Sequence, residues 1–191
     1  SRIAAESERM GHLVEDLLLL ARLDSGRPLA ADPVDLTRVV LDAVSDARVA
    51  GPDHRWQLDL PTEPVQVEGD RDALHQVVAN LLANARVHTP PGTTVQTGLT
   101  DSSGAITLSI SDDGPGISAE LRPSVFERFA HGTDARSSTT GSSGLGLAIV
   151  AAIVHAHKGV IDLDSGPGGT RCKVRLPAPV ASSPSAHVFG G

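Results

Sequence analysis

Asn80-Leu-Leu-Ala-Asn-Ala-Arg-Val-His-Thr-Pro90 closes an amphipathic segment that starts near Asp70. Leu74, Val78, Leu81 and Ala85 recur at helical spacing, which predicts a helix over 70–87 with one apolar stripe buried. Asp72, Gln76, Asn80, Asn84 and His88 follow at intervals of four along a neighbouring line, so their side chains stack on one face. Asn is a mediocre helix former because its amide competes with the backbone for hydrogen bonds. Two of them one turn apart read either as part of a solvated face or as neutral oxygen donors for a hard cation or a nucleotide. The segment alone leaves both open.

The bulk properties narrow the field. At 191 residues, 40% hydrophobic and 20% charged, the chain suffices for one full core with a short appendage. It has no Tyr, one Trp (Trp56) and three Phe, so aromatic platforms for base stacking are not expected. A net charge of −7 speaks against nucleic acid or an anionic membrane as partner. The single cysteine, Cys172, shares an alternating face with Val174 and Leu176 and reads as a small core residue; no disulfide or zinc framework is possible. The longest apolar run, Leu17–Ala21, is too short to cross a bilayer and no secretory leader opens the chain, so a soluble chain is expected.

Outward from the opening stretch, helices and strands interleave. Residues 1–24 read as one helix in which Ile3, Met10, Leu13, Val14, Leu17 and Ala21 approximate a heptad seam that needs partner helices. Asp24-Ser-Gly26 and Pro28 stop it, and a linker follows to Pro33. A second helix is expected from Asp35 or Thr37 to Ala50. Trp56–Leu60 and Val65–Val67 read as a strand pair separated by Pro61 and Pro64. Val95–Leu99 and Ala105–Ser111 read as an antiparallel pair, with Ile106, Leu108 and Ile110 on one face. Residues 130–143 are poor in apolar side chains and rich in Ser, Thr and Gly, the pattern of a mobile lid. A helix from Gly144 or Leu145 to about His157 and strands over 160–164 and 170–176 complete one α/β sandwich, a sheet with helices on one face. The Pro- and Ser-rich tail beyond Pro177 reads as disordered.

Two further stretches carry chemistry. Asp112-Asp-Gly-Pro-Gly-Ile117 places acids and glycines where a half-buried strand leaves the sheet, an ordinary turn or an acceptor beside a crevice. Gly141-Ser-Ser-Gly-Leu-Gly-Leu147 runs into a helix N-terminus, where backbone amides can meet phosphate. A P-loop is excluded, because the only lysines are Lys158 and Lys173 and neither follows a glycine-rich loop. A dinucleotide fingerprint fails on glycine spacing. His155 and His157 diverge on a helix, and a surface position is expected for them rather than a metal site.

The order Asn80/Asn84, Asp112-x-Gly-x-Gly116, Phe126-Glu-Arg-Phe129 and Gly144-x-Gly-Leu147 resembles the N, G1, F and G2 boxes of bacterial sensor histidine kinases. Gly168-Gly-Thr170 before a strand is similar to that family's last glycine motif, and Met10–Leu23 resembles the second helix of its dimerisation domain. The resemblance covers about Asp32 to Pro177. It implies an α+β fold, the two-layer sandwich of the histidine kinase, Hsp90 and gyrase ATPases, with a mixed sheet packed on three helices and one long helix in front. The implied divisions are an incomplete dimerisation helix at 1–26, a linker at 27–33, an ATP-binding domain at 34–177 with its lid at 127–143, and a tail at 178–191.

The resemblance also implies ATP and Mg²⁺ as cofactors. Asn84 matches the metal ligand and Asn80 its companion, both in the catalytic set. Asp112 matches the acceptor of the adenine amine; guanine would present a carbonyl there and leave two acceptors facing, so ATP is expected over GTP. Gly114, Gly116, Ile117, Phe129, Thr170 and the run Gly144, Leu145, Gly146, Leu147 match nucleotide-binding positions. The γ-phosphate would pass to a histidine on a dimerisation-domain helix and then to an aspartate of a response regulator. The implied partners are those helices, in a homodimer, and the regulator; no nucleic acid or membrane contact by this chain is expected, within the cytoplasmic part of an inner-membrane sensor.

Three positions depart from the family. The phosphoacceptor motif is absent and His12 lies in the wrong helix to replace it, so the chain is expected to bind ATP without phosphorylating itself. Where an Arg commonly follows the F box stands His131, placed in the catalytic set with a charge that would vary near neutrality. Where relatives carry a basic residue after the second Asn stands Val87, with Arg86 and His88 as substitutes. The gyrase and Hsp90 group carries a Glu base where Asn80 stands, and an amide takes no proton from water, so efficient hydrolysis is not expected. A nucleotide-gated binding module of the anti-sigma-factor kinase type is the alternative, against which the heptad-like leader argues.

Overall fold

Alternation along the strands builds one sheet with two unlike faces. The computed structural model describes residues 2–102, 104–130 and 144–179. In β5 (Ala105–Asp112), Ile106, Leu108 and Ile110 are buried; in β7 (Gly169–Pro177), Cys172, Val174 and Leu176 are; in β4 (Thr94–Ser102), Val95, Thr97 and Leu99 are. Their neighbours Ser109, Ser111, Lys173 and Arg175 take the other face, as a period of two requires. With β2 (Arg55–Asp59) and β6 (Val160–Gly166), the five strands run in the order β2-β4-β5-β7-β6. The β2–β4 pair is parallel and the remaining pairs are antiparallel, so the sheet is mixed as expected.

Three helices cover the apolar face. Helix α2 (Leu36–Ala50) starts at Asp35, whose carboxylate accepts from the Arg38 N–H at 3.0 Å. Helix α3 (Arg71–His88) starts at Asp70, which accepts from Asp72 and Ala73 N–H, and it buries the whole predicted stripe of Leu74, Val78, Leu81 and Ala85. Helix α4 (Gly146–Ala156) packs beside α3 and buries Ile149, Val150, Ile153 and Val154. It ends in paired reverse bonds, Lys158 N–H to His155 O and Gly159 N–H to Val154 O, both at 2.9 Å.

The strand pair expected from 56–60 and 65–67 does not form. Trp56 and Leu58 pair in parallel with β4, whereas β3 (Gln66–Gly69) pairs antiparallel with β1 (Asp32–Asp35) in a separate two-stranded sheet. The linker expected over 27–33 thus ends in a strand. Val65 explains the choice: its carbonyl accepts from Leu36 N–H and its N–H donates to Thr37 Oγ1, each at 2.9 Å, tying the segment to the start of α2. His157 is no mere surface residue either. Its Nδ1 donates to Ile153 O at 2.8 Å and its Nε2 accepts from Asp70 N–H at 3.0 Å, joining the end of α4 to the start of α3; His155 is exposed.

Helix α1 (Arg2–Asp24) lies against α4. Leu20 is buried, with Leu13, Leu19 and Leu23 packed on the same core. Asp16 accepts from Gln76 Nε2 at 3.3 Å, and Asp24 pairs with Arg128 in the segment after β5. Met10, Val14, Leu17 and Leu18 remain exposed along α1. No helix among the described residues is long and apolar enough to cross a membrane. His131, the lid residues 131–143 and the tail from 180 lie outside the described residues.

Candidate functional site

The polar line of α3 does not face water along its length. Gln76 meets α1 as above, and one turn on Asn80 Nδ2 donates to the Gly146 carbonyl at 3.4 Å. A Cβ built on Gly146 would lie 3.9 Å from both Asn80 Cγ and Asn84 Oδ1, so the two amides stand against the first turn of α4. Asn84 Nδ2 is buried with no partner among the described residues. A buried amide is normally satisfied, so this donor is open to an acceptor from outside the described residues. Only the ends of the line, Asp72 and His88, are fully exposed.

The far end of α3 carries the second half of the site. Thr89 Oγ1 donates to Ala85 O at 2.6 Å and meets His54 Nε2 at 3.0 Å. Its methyl group would sit 2.6 Å from a Cβ at Gly114, so only glycine lets the turn after β5 come this close. Asp112, on the inner face of β5, accepts from Gly114 N–H at 3.0 Å. Burial pushes its carboxyl above the usual range, opposed by the backbone hydrogen bonds from Gly114 and Thr170 and aided by the charge of Asp113. Asp113 faces the other way, held below its usual range by hydrogen bonds at Thr94. Burial, followed by the charge of Asp112, drives the Cys172 thiol to about 12, which makes it an inert core group.

The turn is locked to the β6–β7 hairpin. Gly116 has φ +76°, and a Cβ there would lie 2.0 Å from Gly166 O; one at Gly169 would lie 1.8 Å from Asp112 O. Ile117 N–H donates to Ser165 Oγ at 2.8 Å, and Ser165 Oγ lies 2.9 Å from Thr170 Oγ1. Phe129, at φ +62° and 54% exposed, donates its N–H to Gly144 O at 3.0 Å, which closes the two ends of the segment expected as a lid. Leu145 is buried and Leu147 half-buried, so these two reach any ligand through backbone rather than side chain.

Asn80, Asn84 and Gly146 therefore form one cluster, and Asp112, Gly114, Gly116, Ile117 and Thr170 another, with α3 bridging them through Thr89. Ser165 and Thr89 lie outside the site residues that the sequence offers. A signal existed for Ser165: a polar residue at an inward position after Ile161 and Leu163. A concavity of about 540 Å³ opens beside the second cluster. Thr94, Gln96, Ser111 and Arg171 in its lining belong to the sheet face remote from the helices, and Asp112, Ser165, Gly169 and Thr170 join it to the cluster.

As to a metal, the described residues hold no group of three or more His, Cys, Asp or Glu that could cage one. The Oδ1 of Asn84 is the kind of neutral oxygen that suits a Mg²⁺ ion arriving with phosphate oxygens and keeping its waters, while its unpartnered Nδ2 is a donor that would meet a phosphate or water oxygen.

Residues 69–180, more than half of the chain, match the family model of the histidine kinase-, DNA gyrase B- and HSP90-like ATPases. The chain belongs to this ATPase family. Within it the kinship is to sensor histidine kinases. Over 188 residues, 96% of the chain, it is 61% identical to the probable sensor histidine kinase TcrY of Mycobacterium tuberculosis, of which it spans 40%. The solved structure of the mycobacterial sensor histidine kinase MprB superposes with TM-score 0.68 at 35% identity, covering 78% of this chain and 98% of that one. The ATP-binding domain of PrrB from Mycobacterium tuberculosis does so with TM-score 0.64 at 32% identity, covering 78% and 98%. The ATPase fold expected from the four boxes, with its mixed sheet on three helices, is thereby established. The ATPase domain is of the ATP-binding, sensor histidine kinase type.

Proposed function

We propose that this ATPase domain moves the γ-phosphate of Mg²⁺-ATP to a histidine of a dimerisation domain, for relay to an aspartate of a response regulator. The observation that carries the proposal is the double use of α3: its asparagines meet the first turn of α4 while its end seats the Asp112 turn. A nucleotide lying between them would have its base at Asp112 and its phosphates at Gly144–Leu147 and Asn84. Asn84 would ligate the metal, which neutralises triphosphate charge when bound. Asn80 would hold the glycine turn through Gly146, and His88 and Phe129 would border the phosphate end. His131 would take the place of the usual lid arginine.

Phosphoryl transfer asks of the protein mainly positioning and charge neutralisation, and no carboxylate base stands at Asn80 to activate water. That favours transfer over hydrolysis. Helix α1 would be the second helix of the dimerisation domain, its exposed Met10, Val14 and Leu17 at heptad spacing supplying the seam with a second copy. The full-length protein would then be a homodimeric membrane sensor with this part in the cytoplasm. The test mixes the chain with an intact dimerisation domain and γ-labelled ATP. Acid-labile label on that domain's histidine, and none on this chain alone, is the expected result. Stable label on this chain by itself, or none anywhere with ATP bound, overturns the proposal.

A further inference from the structure

We propose that His54 is a positioning residue: it holds the Thr89 side chain so that the methyl group, and not the hydroxyl, backs the turn after β5. The inference rests on the nucleotide reading above and extends it to a residue outside 69–180, the span that matches the family model. The partners fix where the protons go. The Ala85 carbonyl can only accept, so at 2.6 Å the Thr89 hydroxyl spends its one proton there. Toward His54 Nε2, at 3.0 Å, the same oxygen can then only accept, and His54 is the donor. His54 Nδ1 is buried with no partner, so among the described residues Thr89 is the only group the imidazole hydrogen-bonds. The ring stands on a fixed base: His54 N–H donates to Gly51 O at 3.2 Å, and the Trp56 ring lies beside it with centroids 5.8 Å apart. Trp56 Nε1 donates to the same Gly51 carbonyl at 2.9 Å.

A threonine with its hydroxyl held has its methyl held too, because both branch from Cβ. The Thr89 methyl would lie 2.6 Å from a Cβ at Gly114, and Asp112 Oδ1 would lie 2.8 Å from that same point. Methyl and carboxylate therefore flank one spot. A rotation by one staggered well would bring the Thr89 hydroxyl to the methyl's place. A donor would then face the Asp112 carboxylate from the helix side and compete with any ligand for it. His54 opposes that rotation, since leaving the present rotamer forfeits two hydrogen bonds, to Ala85 and to His54, instead of one.

The experiment titrates Mg²⁺-ATP calorimetrically into the whole chain, with a thermal melt of each form. The forms are wild type, His54→Ala, His54→Gln, Thr89→Val, the His54→Ala/Thr89→Val double variant and Asp112→Asn. His54→Ala is expected to weaken ATP about fivefold, the worth of roughly one hydrogen bond. Gln carries an amide donor of similar reach, and His54→Gln is expected to restore the affinity. In the Thr89→Val background no hydroxyl can turn, and there His54→Ala is expected to add less than about twofold. An equal loss in both backgrounds makes His54 a staple of its own loop and overturns the inference. So does no loss in His54→Ala while Asp112→Asn weakens ATP. An affinity unchanged in Asp112→Asn removes the nucleotide reading, and the inference with it. If His54→Ala does not fold, His54→Phe keeps a ring without the donor and must show the same loss, absent again beside Thr89→Val.

Discussion

Asn80 Nδ2 reaches the carbonyl of Gly146 across 3.4 Å, and this long hydrogen bond is a direct link between the middle of α3 and the first turn of α4. It commits the Asn80 amide to the backbone, and one turn on, Asn84 keeps an amide nitrogen without a partner. Two residues of one type, four apart, thus have different work: one shapes the loop, the other is available to a ligand.

With Asn84 Oδ1 as the proposed metal ligand, Asn84→Ala should act on the metal. The variant is expected to lose at least about tenfold in ATP affinity when Mg²⁺ is present and almost nothing in excess chelator, because a charge-assisted contact is worth about 1.5–3 kcal/mol. Folding stability should change by less than about 1 kcal/mol, since the amide removed leaves no buried partner unsatisfied. Calorimetric titrations with and without Mg²⁺, beside a urea melt, give both quantities. Equal losses in the two buffers would place the metal elsewhere.

The glycines separate by what surrounds them. A Cβ at Gly116 or Gly169 would lie 2.0 or 1.8 Å from a backbone oxygen, whereas nothing lies within 4 Å of one at Gly166 or Gly168. Backbone cannot swing away as a side chain can, and Gly116 and Gly169 also need positive φ. Alanine at either is expected to cost about 2–4 kcal/mol and to abolish ATP binding, through strain at a special backbone position. Alanine at Gly166 or Gly168 should stay within about 1 kcal/mol of wild type. Chemical denaturation of the four variants checks this.

That contrast also marks how far sequence could be read. The buried stripe of α3, the alternation of β5 and the N-cap acids Asp35 and Asp70 follow from local periodicity and capping, and all are found in place. The pairing of the strand at 66–69 is not legible, because its partner, 32–35, lies a helix away and is chosen by Val65's bonds to Leu36 and Thr37, which no local pattern encodes. The role of His157 is hidden for the same reason, its partner Asp70 being 87 positions distant. The site divides likewise. Asn80 and Asp112 stand in recognisable strings, while Thr89 and Ser165 act through contacts that exist only once the turn after β5 is folded against them.

Asp112 should trade stability for binding. Burial raises its carboxyl above the unfolded value, so the folded protein favours the protonated form. The sign follows: below the unfolded value the group costs nothing, and as pH rises through the raised folded value its ionisation destabilises the fold. Asp112→Asn removes that cost and is expected to be as stable as wild type or more so at neutral pH, yet to lose its preference for ATP. In wild type the carboxylate is the acceptor, so ATP affinity should fall as acidification approaches its raised value, and in Asp112→Asn that slope should vanish. Titrations at matched ionic strength measure the slope, and a slope equal in both proteins would assign it to another group.

Lys158 offers a gain in stability that leaves the site alone. It follows the last turn of α4 at φ +57°, in the left-handed position of the paired reverse bonds to His155 and Val154. A side chain there costs about 1–2 kcal/mol relative to glycine, while glycine adds about 0.5–1 kcal/mol of unfolded-state entropy to be lost. The difference favours Lys158→Gly by about 0.5–1 kcal/mol, a rise of roughly 2–4 °C per kcal/mol in melting temperature for a chain of this size. Lys158→Ala keeps the strain and should show no such rise. The position lies at the opposite end of α4 from Gly146, about 16 Å away along an 11-residue helix, so ATP affinity should be unchanged in both variants. A melt and one titration of each suffice, and a stabilised Lys158→Ala would show that the lysine's charge, not its backbone, is the source of the cost.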